Sequence, residues 1–189
     1  MRALPIRVAA LAAALTAALA LTSCGHDGGT EDSHRDTGDS GDSGSKNTDV
    51  AACRPDDVTL TAGPVSAAPA AGDTGQVPVT LTNRGARCSL RGFPVVRLKS
   101  DSTTWAVPAD RTSTPRDLTL ATGDAALFTL TYVRGREGDG TSLPATSLTV
   151  ALPGTAHGTS FSWSYGPVGA TATAGTPDAS VTAFQLAGD

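Results

Sequence analysis

Apolar and polar residues alternate along much of the chain from Val50 onward, and this alternation leaves little freedom in the choice of fold. In the segment QVPVTLTN, the apolar residues Val77, Val79 and Leu81 occupy every second position. A period of two puts successive side chains on opposite faces of a strand, whereas a helix needs a period of about 3.6. The pattern therefore predicts β-strands with one buried face. Pro78 lacks a backbone donor, which favours an edge position or a bulge for this strand.

About nine short segments show this strand pattern, and glycine or proline separates them. They cover residues 57–62, 76–83, 95–99, 104–107, 117–120, 125–133, 147–152, 159–165 and 181–186. So many short strands without a helical pattern between them predict an all-β fold, an immunoglobulin-like antiparallel β-sandwich of about 7–9 strands. All eight aromatic residues lie within residues 50–189, so we expect this span to be the one folded domain.

The first 23 residues have the organisation of a signal peptide. Arg2 and Arg7 form a short basic region, and a mainly apolar run of residues 8–21 follows. This run is too short to cross the ~30 Å hydrocarbon core of a bilayer as a permanent helix. We therefore expect the protein to be exported and residues 1–23 to be removed.

A cysteine ends the apolar run in the segment LTSCG. The order Leu21, Thr22, Ser23 and Cys24 resembles a bacterial lipobox, in which the cysteine is lipidated and becomes the first residue of the mature chain. The alternative is a secretory signal whose cysteine carries no lipid. Two or more acyl chains, such as palmitate, hold a protein stably on a bilayer. We expect Cys24 to anchor the chain to the extracytoplasmic face of the cell membrane.

Residues 24–49 have the composition of a tether between the anchor and the domain. Residues 25–49 are rich in glycine, serine and aspartate, and their two bases and seven acids give a net charge of −5 (2 − 7). A segment with so few apolar residues cannot offset the entropy lost on ordering, so we expect it to be disordered. His26 and His34 lie among its carboxylates, but a flexible segment does not hold metal ligands in place, and we expect no metal site.

Cys53 and Cys88 are the two cysteines that remain once Cys24 is assigned to lipid. The oxidising environment of an exported protein favours a disulfide between them. A closed loop of this length contributes roughly 3.5–4 kcal/mol in the chain-entropy model. The alternative is two free thiols, and the Cys-x-x-Cys spacing of a redox centre is absent.

The stretch from Leu81 to Val96 carries a recognisable motif. An LTN-x-G segment at residues 81–85 is followed by Cys88, Leu90 and a Gly-Phe-Pro turn at residues 92–94. This arrangement resembles DUF4232, a family of exported and lipidated actinobacterial domains of unknown function. The later segments LTLATGDAALFTLTY and LTVALPG are also similar to that family. The resemblance implies a β-sandwich on the cell envelope and brings no activity, substrate or catalytic residue with it.

Two parts of this motif also have a direct structural interpretation. Residues 83–85 are Asn-Arg-Gly, types that tolerate positive φ where a strand ends. Residues 92–94 turn the chain and offer Phe93 to the core. The family's second cysteine pair has no counterpart here near Thr141 and Thr176.

Five basic residues fall within sixteen positions: Arg84, Arg87, Arg91, Arg97 and Lys99. They could form a docking patch for anionic cell-wall polymer or lipid headgroups. A solvated loop and strand face explains them equally well. The domain as a whole has ten bases and eleven acids, a net charge of −1 (10 − 11), so nucleic-acid binding is not expected.

Aromatic residues alternate with serines in the segment SFSWSY. Phe161, Trp163 and Tyr165 are therefore expected on one face of a strand. Burial in the core is the simplest expectation for them. Because Trp and Tyr rings also form platforms for sugars and peptides, Trp163 and Tyr165 are candidate binding residues.

The domain is poor in groups that perform catalysis. Its only histidine, His157, and its only glutamate, Glu137, lie in glycine-containing loops. The G-x-S-x-G turn, glycine-rich phosphate loops and histidine-based metal motifs are absent from the sequence. We therefore expect no enzyme activity, no metal and no cofactor. The enzyme alternative would be a hydrolase built around His157.

These features favour a cell-surface lipoprotein with a non-enzymatic β-sandwich. In the first hypothesis, its loops or an edge strand bind or scaffold an unidentified envelope protein or cell-wall polymer. In the alternative hypothesis, the domain is a small-molecule or glycan receptor that uses the face of residues 161–165.

Overall fold

Strands account for nearly all regular structure in the computed structural model, which describes residues 50–173 and 175–188. The described residues contain no α-helix and one turn of 3-10 helix, Pro55–Asp57. The strands are β1 (Val58–Ala62), β2 (Thr74–Asn83), β3 (Cys88–Arg91), β4 (Val95–Lys99), β5 (Thr104–Ala106), β6 (Asp117–Leu120), β7 (Ala125–Val133), β8 (Ser147–Ala151), β9 (Gly158–Ser162), β10 (Ala179–Val181) and β11 (Gln185–Leu186). The predicted signal peptide, Cys24 and the tether lie outside the described residues.

Two larger antiparallel sheets form a sandwich. The first has the order β1-β2-β7-β10, with β11 also paired to β7, and the second has the order β5-β4-β8-β9. An immunoglobulin-like sandwich places its A, B and E strands in one sheet and its C, F and G strands in the other. Here β1, β2 and β7 take the first set of places, and β4, β8 and β9 take the second. The predicted fold class is confirmed.

The core between the sheets follows the alternation seen in the sequence. Val77, Val79 and Leu81 of β2 are at most 1% exposed. In β7, Phe128 lies opposite Val79 and Leu130 lies opposite Val77, and both are fully buried. Each such side chain stabilises the fold by roughly 1.5–3 kcal/mol relative to an exposed position.

Pro78 occupies a position that differs from the prediction. It lies in β2, between β1 and β7, and therefore within the sheet rather than at its edge. The carbonyl of Pro78 accepts from Gly63 N at 2.8 Å, so its nitrogen also faces Gly63. Because β1 ends at Ala62, the missing donor falls just beyond the regular ladder. An internal strand tolerates the proline for this reason.

The short strand β3 was not predicted, because Cys88–Arg91 resembles a turn in composition. It pairs with β6 in a separate two-stranded ribbon. Four residues are too few to reveal a period, although Cys88 and Leu90 are both buried. The disulfide between Cys53 and Cys88 is present as predicted and joins the segment before β1 to β3.

Gly85 and Phe93 also differ from the sequence-based interpretation. Gly85 does not have the positive φ that was expected; its role is spatial, since a Cβ would lie 2.7 Å from Cβ and Cγ of Asp57. Gly92 does have a positive φ of 81°. Phe93 is half-buried and lies outside the core cluster.

Asn83 is the buried polar residue at the end of β2, with no exposed surface. Its side-chain nitrogen donates to the carbonyls of Ala86, Leu120 and Ala121 at 2.9–3.1 Å. Its Oδ1 accepts from Gly85 N at 3.0 Å. The asparagine of the LTN motif therefore ties the end of β2 to the end of β6.

Candidate ligand-binding site

One flank of the sandwich is formed by two strands that lie at the edges of their sheets. β1 is the last strand of the first sheet, and β9 is the last strand of the second. Hydrogen bonding to a partner strand alternates along an antiparallel pair. By this alternation the amides of Leu60 and Ala62 point away from β2, and those of Ser160 and Ser162 point away from β8. Within residues 50–173 and 175–188, no strand pairs with the outer edge of β1 or of β9, so both edges present unused backbone donors and acceptors.

A cavity of about 210 Å³ opens between the beginnings of these two strands. Val58 and Leu60 line it from β1, and Thr159 lines it from β9. His157 and Asp56 also line this cavity. No ion pair joins these two side chains in the part of the chain that the structure describes.

A second cavity, of about 520 Å³, lies where both strands have ended. We call it the Trp163 cavity. Its walls come from residues 67–68 after β1, residues 134–146 between β7 and β8, and residues 163–167 after β9. Its volume falls within the range of small-molecule sites in proteins.

Ring contacts and a hydrogen bond within the protein hold the aromatic wall of the Trp163 cavity in place. Trp163 is 6% exposed, and its ring meets Tyr132 and Tyr165 edge to face, with centroid distances of 4.9 and 5.0 Å. Its Nε1–H donates to the Gly166 carbonyl at 2.7 Å. Tyr165 is half-buried, so part of its ring faces solvent. The wall is rigid and leaves Tyr165 available for contact.

The predicted arrangement of the three aromatic rings on one strand is wrong in part. β9 ends at Ser162, so Trp163 and Tyr165 lie in the loop that follows it. Phe161 remains in β9, half-buried against the core. Trp163 is packed in the core, which was the simplest expectation for it, and it also lines the cavity.

Arg134 also lines the cavity and was not singled out from the sequence. It follows the last residue of β7, and its Nη1 donates to the carbonyls of Ala68 and Pro69 at 3.2 and 3.0 Å. Ala68 N in turn donates to the hydroxyl of Tyr132 at 3.2 Å. The partners that hold the guanidinium are 65 and 66 residues away in sequence. Because they are backbone carbonyls, which every residue carries, no residue type in the sequence indicates this contact.

Glu137 and Gly138 line the cavity from a loop that Asp139 organises. The Asp139 carboxylate accepts from Thr141 N at 3.0 Å and from Thr141 Oγ1 at 2.8 Å. The backbone hydrogen bond, then the hydroxyl, and to a smaller extent the charge of Arg136 lower the pKa of Asp139 below its ordinary value. The ionised carboxylate is therefore the form that holds this turn.

Comparison with known protein families gives one match. The family model described as a domain of unknown function (DUF4232) matches residues 53–185, which is well over half of the 189-residue chain. The chain belongs to DUF4232. The matched span runs from the disulfide to β11 and includes both cavities. No curated protein matches the chain.

The five basic residues singled out from the sequence lie on different elements of this DUF4232 domain. Arg84 and Arg87 are exposed in the turn between β2 and β3. Arg91 ends β3 and forms an exposed ion pair with Asp117 at 3.3 Å. Arg97 and Lys99 belong to β4 in the second sheet. None of the five lines the Trp163 cavity.

The described residues of the DUF4232 domain contain neither a cluster of metal-ligating side chains nor a membrane-spanning helix. Within residues 50–173 and 175–188, no three His, Cys, Asp or Glu side chains come together in a group that could hold a metal ion. The same residues contain no helix with the length and apolar character needed to cross a membrane.

Proposed function

We propose that this protein is a non-enzymatic binding module, held on the extracytoplasmic face of the cell membrane by lipid on Cys24, and that the Trp163 cavity is its ligand site. The observation that carries the proposal is a cavity of about 520 Å³ whose wall residues Trp163 and Arg134 are held by hydrogen bonds within the protein. Hydrogen bonds fix both Trp163 and Arg134, so binding requires little ordering of the wall.

The lining of the cavity favours a small molecule or a glycan as the ligand. Ala67, Pro144 and Pro167 supply apolar surface, and the ring of Tyr165 supplies a platform. The polar side chains at the wall, Arg134 and Glu137 among them, come from different loops. A cavity in which apolar surface and convergent polar groups meet is typical of a small-molecule site.

A ligand screen by thermal denaturation of the mature protein tests this function. A ligand of the site at 100 times its Kd should stabilise the fold by about 2.7 kcal/mol. Tyr165→Ser should weaken that effect, because it removes the half-exposed ring. Phe93→Ser is the matched control, since Phe93 is half-buried but lies outside the cavity. A panel of sugars and small metabolites that gives no saturable shift would contradict the proposal, as would a shift that Tyr165→Ser leaves unchanged.

Anchoring is tested separately with Cys24→Ser in the producing cell. The proposal predicts that the native chain sediments with membranes and carries acyl chains in its mass spectrum. The Cys24→Ser chain should lose both properties. A native chain that is soluble in the medium with an unmodified first residue would contradict lipid anchoring.

A second candidate function rests on the free edges of β1 and β9. An extended segment of a partner envelope protein could add to either edge and place alternate apolar side chains against Val58 and Leu60. Ser160→Pro and Leu60→Pro, made together, would remove one outward-facing donor from each edge and should abolish such docking. Thr149→Ala, on the neighbouring paired strand β8, is the control. Crosslinking that captures the same partner with both variants would contradict this function.

A further inference from the structure

The Trp163 cavity contains a guanidinium whose hydrogen-bonding capacity is only partly used. An arginine side chain carries five N–H donors, and both donors on Nη1 of Arg134 go to the carbonyls of Ala68 and Pro69. Nε–H and the two N–H groups of Nη2 have no hydrogen-bond partner among the residues that the structure describes. No carboxylate lies within ion-pair distance of Arg134 among residues 50–173 and 175–188.

Gly166 keeps the remaining donors of Arg134 uncovered. A Cβ at this glycine would lie 2.8 Å from Nε, 3.3 Å from Cζ and 3.4 Å from Nη2. The φ of Gly166 is 83°, and the Trp163 indole holds its carbonyl. A side chain at this position would occupy the space beside Nε and Nη2, and both Gly166 and Arg134 line the cavity.

We propose that the Trp163 cavity binds an acidic sugar, whose carboxylate pairs with Nε and Nη2 of Arg134 while its ring packs against Tyr165. The inference rests on the proposed function and names the chemical class of its ligand. The planar fork of a guanidinium matches the two oxygens of a carboxylate, and a charge-assisted bidentate pair is among the stronger hydrogen bonds in proteins.

The other groups at the cavity favour a polyhydroxylated acid with a single charge. Thr146, Ser164 and Tyr165 offer hydroxyl groups, and the Glu137 carboxylate accepts hydrogen bonds from sugar hydroxyls. Glu137 also disfavours a ligand with several negative charges, such as a phosphate. Among the described residues that line the cavity, Arg134 is the only one with a cationic side chain, which suits one carboxylate.

Calorimetric titration of the mature protein with glucuronic acid and with its neutral amide tests the proposal. The acid should bind about 10- to 100-fold more tightly than the amide, since a hydrogen-bonded charge contributes that much. Arg134→Gln should remove this preference, because it lowers the affinity for the acid far more than the affinity for the amide. Arg134→Lys keeps the charge and a donor for the Ala68 carbonyl but loses the fork, so it should retain only part of the preference.

Two further variants separate an effect on binding from an effect on folding. Gly166→Ala places a methyl group beside Nε and should weaken binding of the acid more than binding of the amide. Arg97→Gln removes a half-buried arginine from β4, outside the cavity, and should change neither affinity. Thermal denaturation of each variant without ligand shows whether it is folded.

Specific results would overturn the assignment. Equal binding of glucuronic acid and the amide, or an equal loss for both with Arg134→Gln, would refute the carboxylate pair while leaving a neutral-ligand receptor intact. Tighter Arg134-dependent binding of inorganic phosphate or of a dipeptide with a free carboxylate would refute the acidic sugar. If no sugar, acidic or neutral, bound at all, the glycan site would fall together with this inference.

Discussion

At the scale of single residues, close approaches between side chain and backbone explain several glycines of the sequence. Gly75 lies directly opposite Tyr132 in the β2–β7 pair, and a Cβ there would lie 2.6 Å from Cζ and 2.7 Å from Oη of the tyrosine. The tyrosine ring lies over the glycine and holds Ala68 and Trp163 in place behind the cavity.

Gly75→Ala should therefore destabilise the protein by about 1–3 kcal/mol, the usual loss on overpacking a core. Gly140→Ala is the matched control, because a Cβ there meets no atom within 4 Å and its φ is not positive. Denaturant unfolding followed by circular dichroism measures both variants. Equal stability of the two would contradict the packing of Tyr132 over Gly75.

Asn83→Asp tests the buried hydrogen bonds by which Asn83 connects the end of β2 to the end of β6. The carboxylate keeps the shape of the amide but turns its three hydrogen bonds to carbonyl oxygens into repulsive contacts. We expect a loss of about 1–3 kcal/mol or more, since a buried group is left without partners. Thr82→Ala, at the half-buried neighbouring position, should cost much less. An unchanged free energy of unfolding for Asn83→Asp would refute the stabilising role of these hydrogen bonds.

At the scale of elements, strands with a clear period of two could be predicted from the sequence. Features that depend only on tertiary contacts could not. β2 and β7 were predictable because ten and nine residues show a period of two. β3 was missed because it has four residues. Trp163 and Tyr165 were identified by residue type, whereas Arg134 lies in an Arg-Gly-Arg-Glu-Gly loop that has the composition of any solvated turn. Its role depends on carbonyl partners distant in sequence.

The loop that carries Glu137 should respond to acid through Asp139. The folded pKa of Asp139 is lowered, so its contribution to loop stability is complete above the unfolded pKa of about 3.9 and is lost as the pH falls through the lower folded value. Amide hydrogen exchange at Thr141 should therefore speed up, beyond the intrinsic rate, only at the acidic end of a titration from pH 6 to pH 2.

Asp139→Asn supplies the control for this titration, because its side-chain oxygen still accepts from Thr141 but does not titrate. Asp110 has the same arrangement with Thr112, and its pKa is also lowered, so it should respond in the same way in the native chain and in the variant. Unchanged protection of Thr141 down to pH 2 in the native chain would contradict the role of the Asp139 carboxylate.

At the scale of the whole molecule, the disulfide joins the chain entering β1 to the ribbon of β3 and β6. It spans 35 residues of sequence separation, which corresponds to roughly 4 kcal/mol in the chain-entropy model. Cys53→Ala with Cys88→Ala should lower the free energy of unfolding by about this amount. Reduction of the native protein should give a similar loss in denaturant unfolding, and a loss below about 1 kcal/mol would contradict its stabilising role.

The central claim is that the cavity formed by the three loops beyond β1, β7 and β9 is where this protein binds its ligand. Nitrogen-15 NMR of the mature protein with glucuronic acid tests it most directly, because Arg134 Nε–H and Trp163 Nε1–H both report from the walls. The account predicts saturable shifts of these two signals and of the Gly166 amide. Shifts confined to the exposed turn of Arg84 and Arg87, or none at saturating sugar, would contradict it.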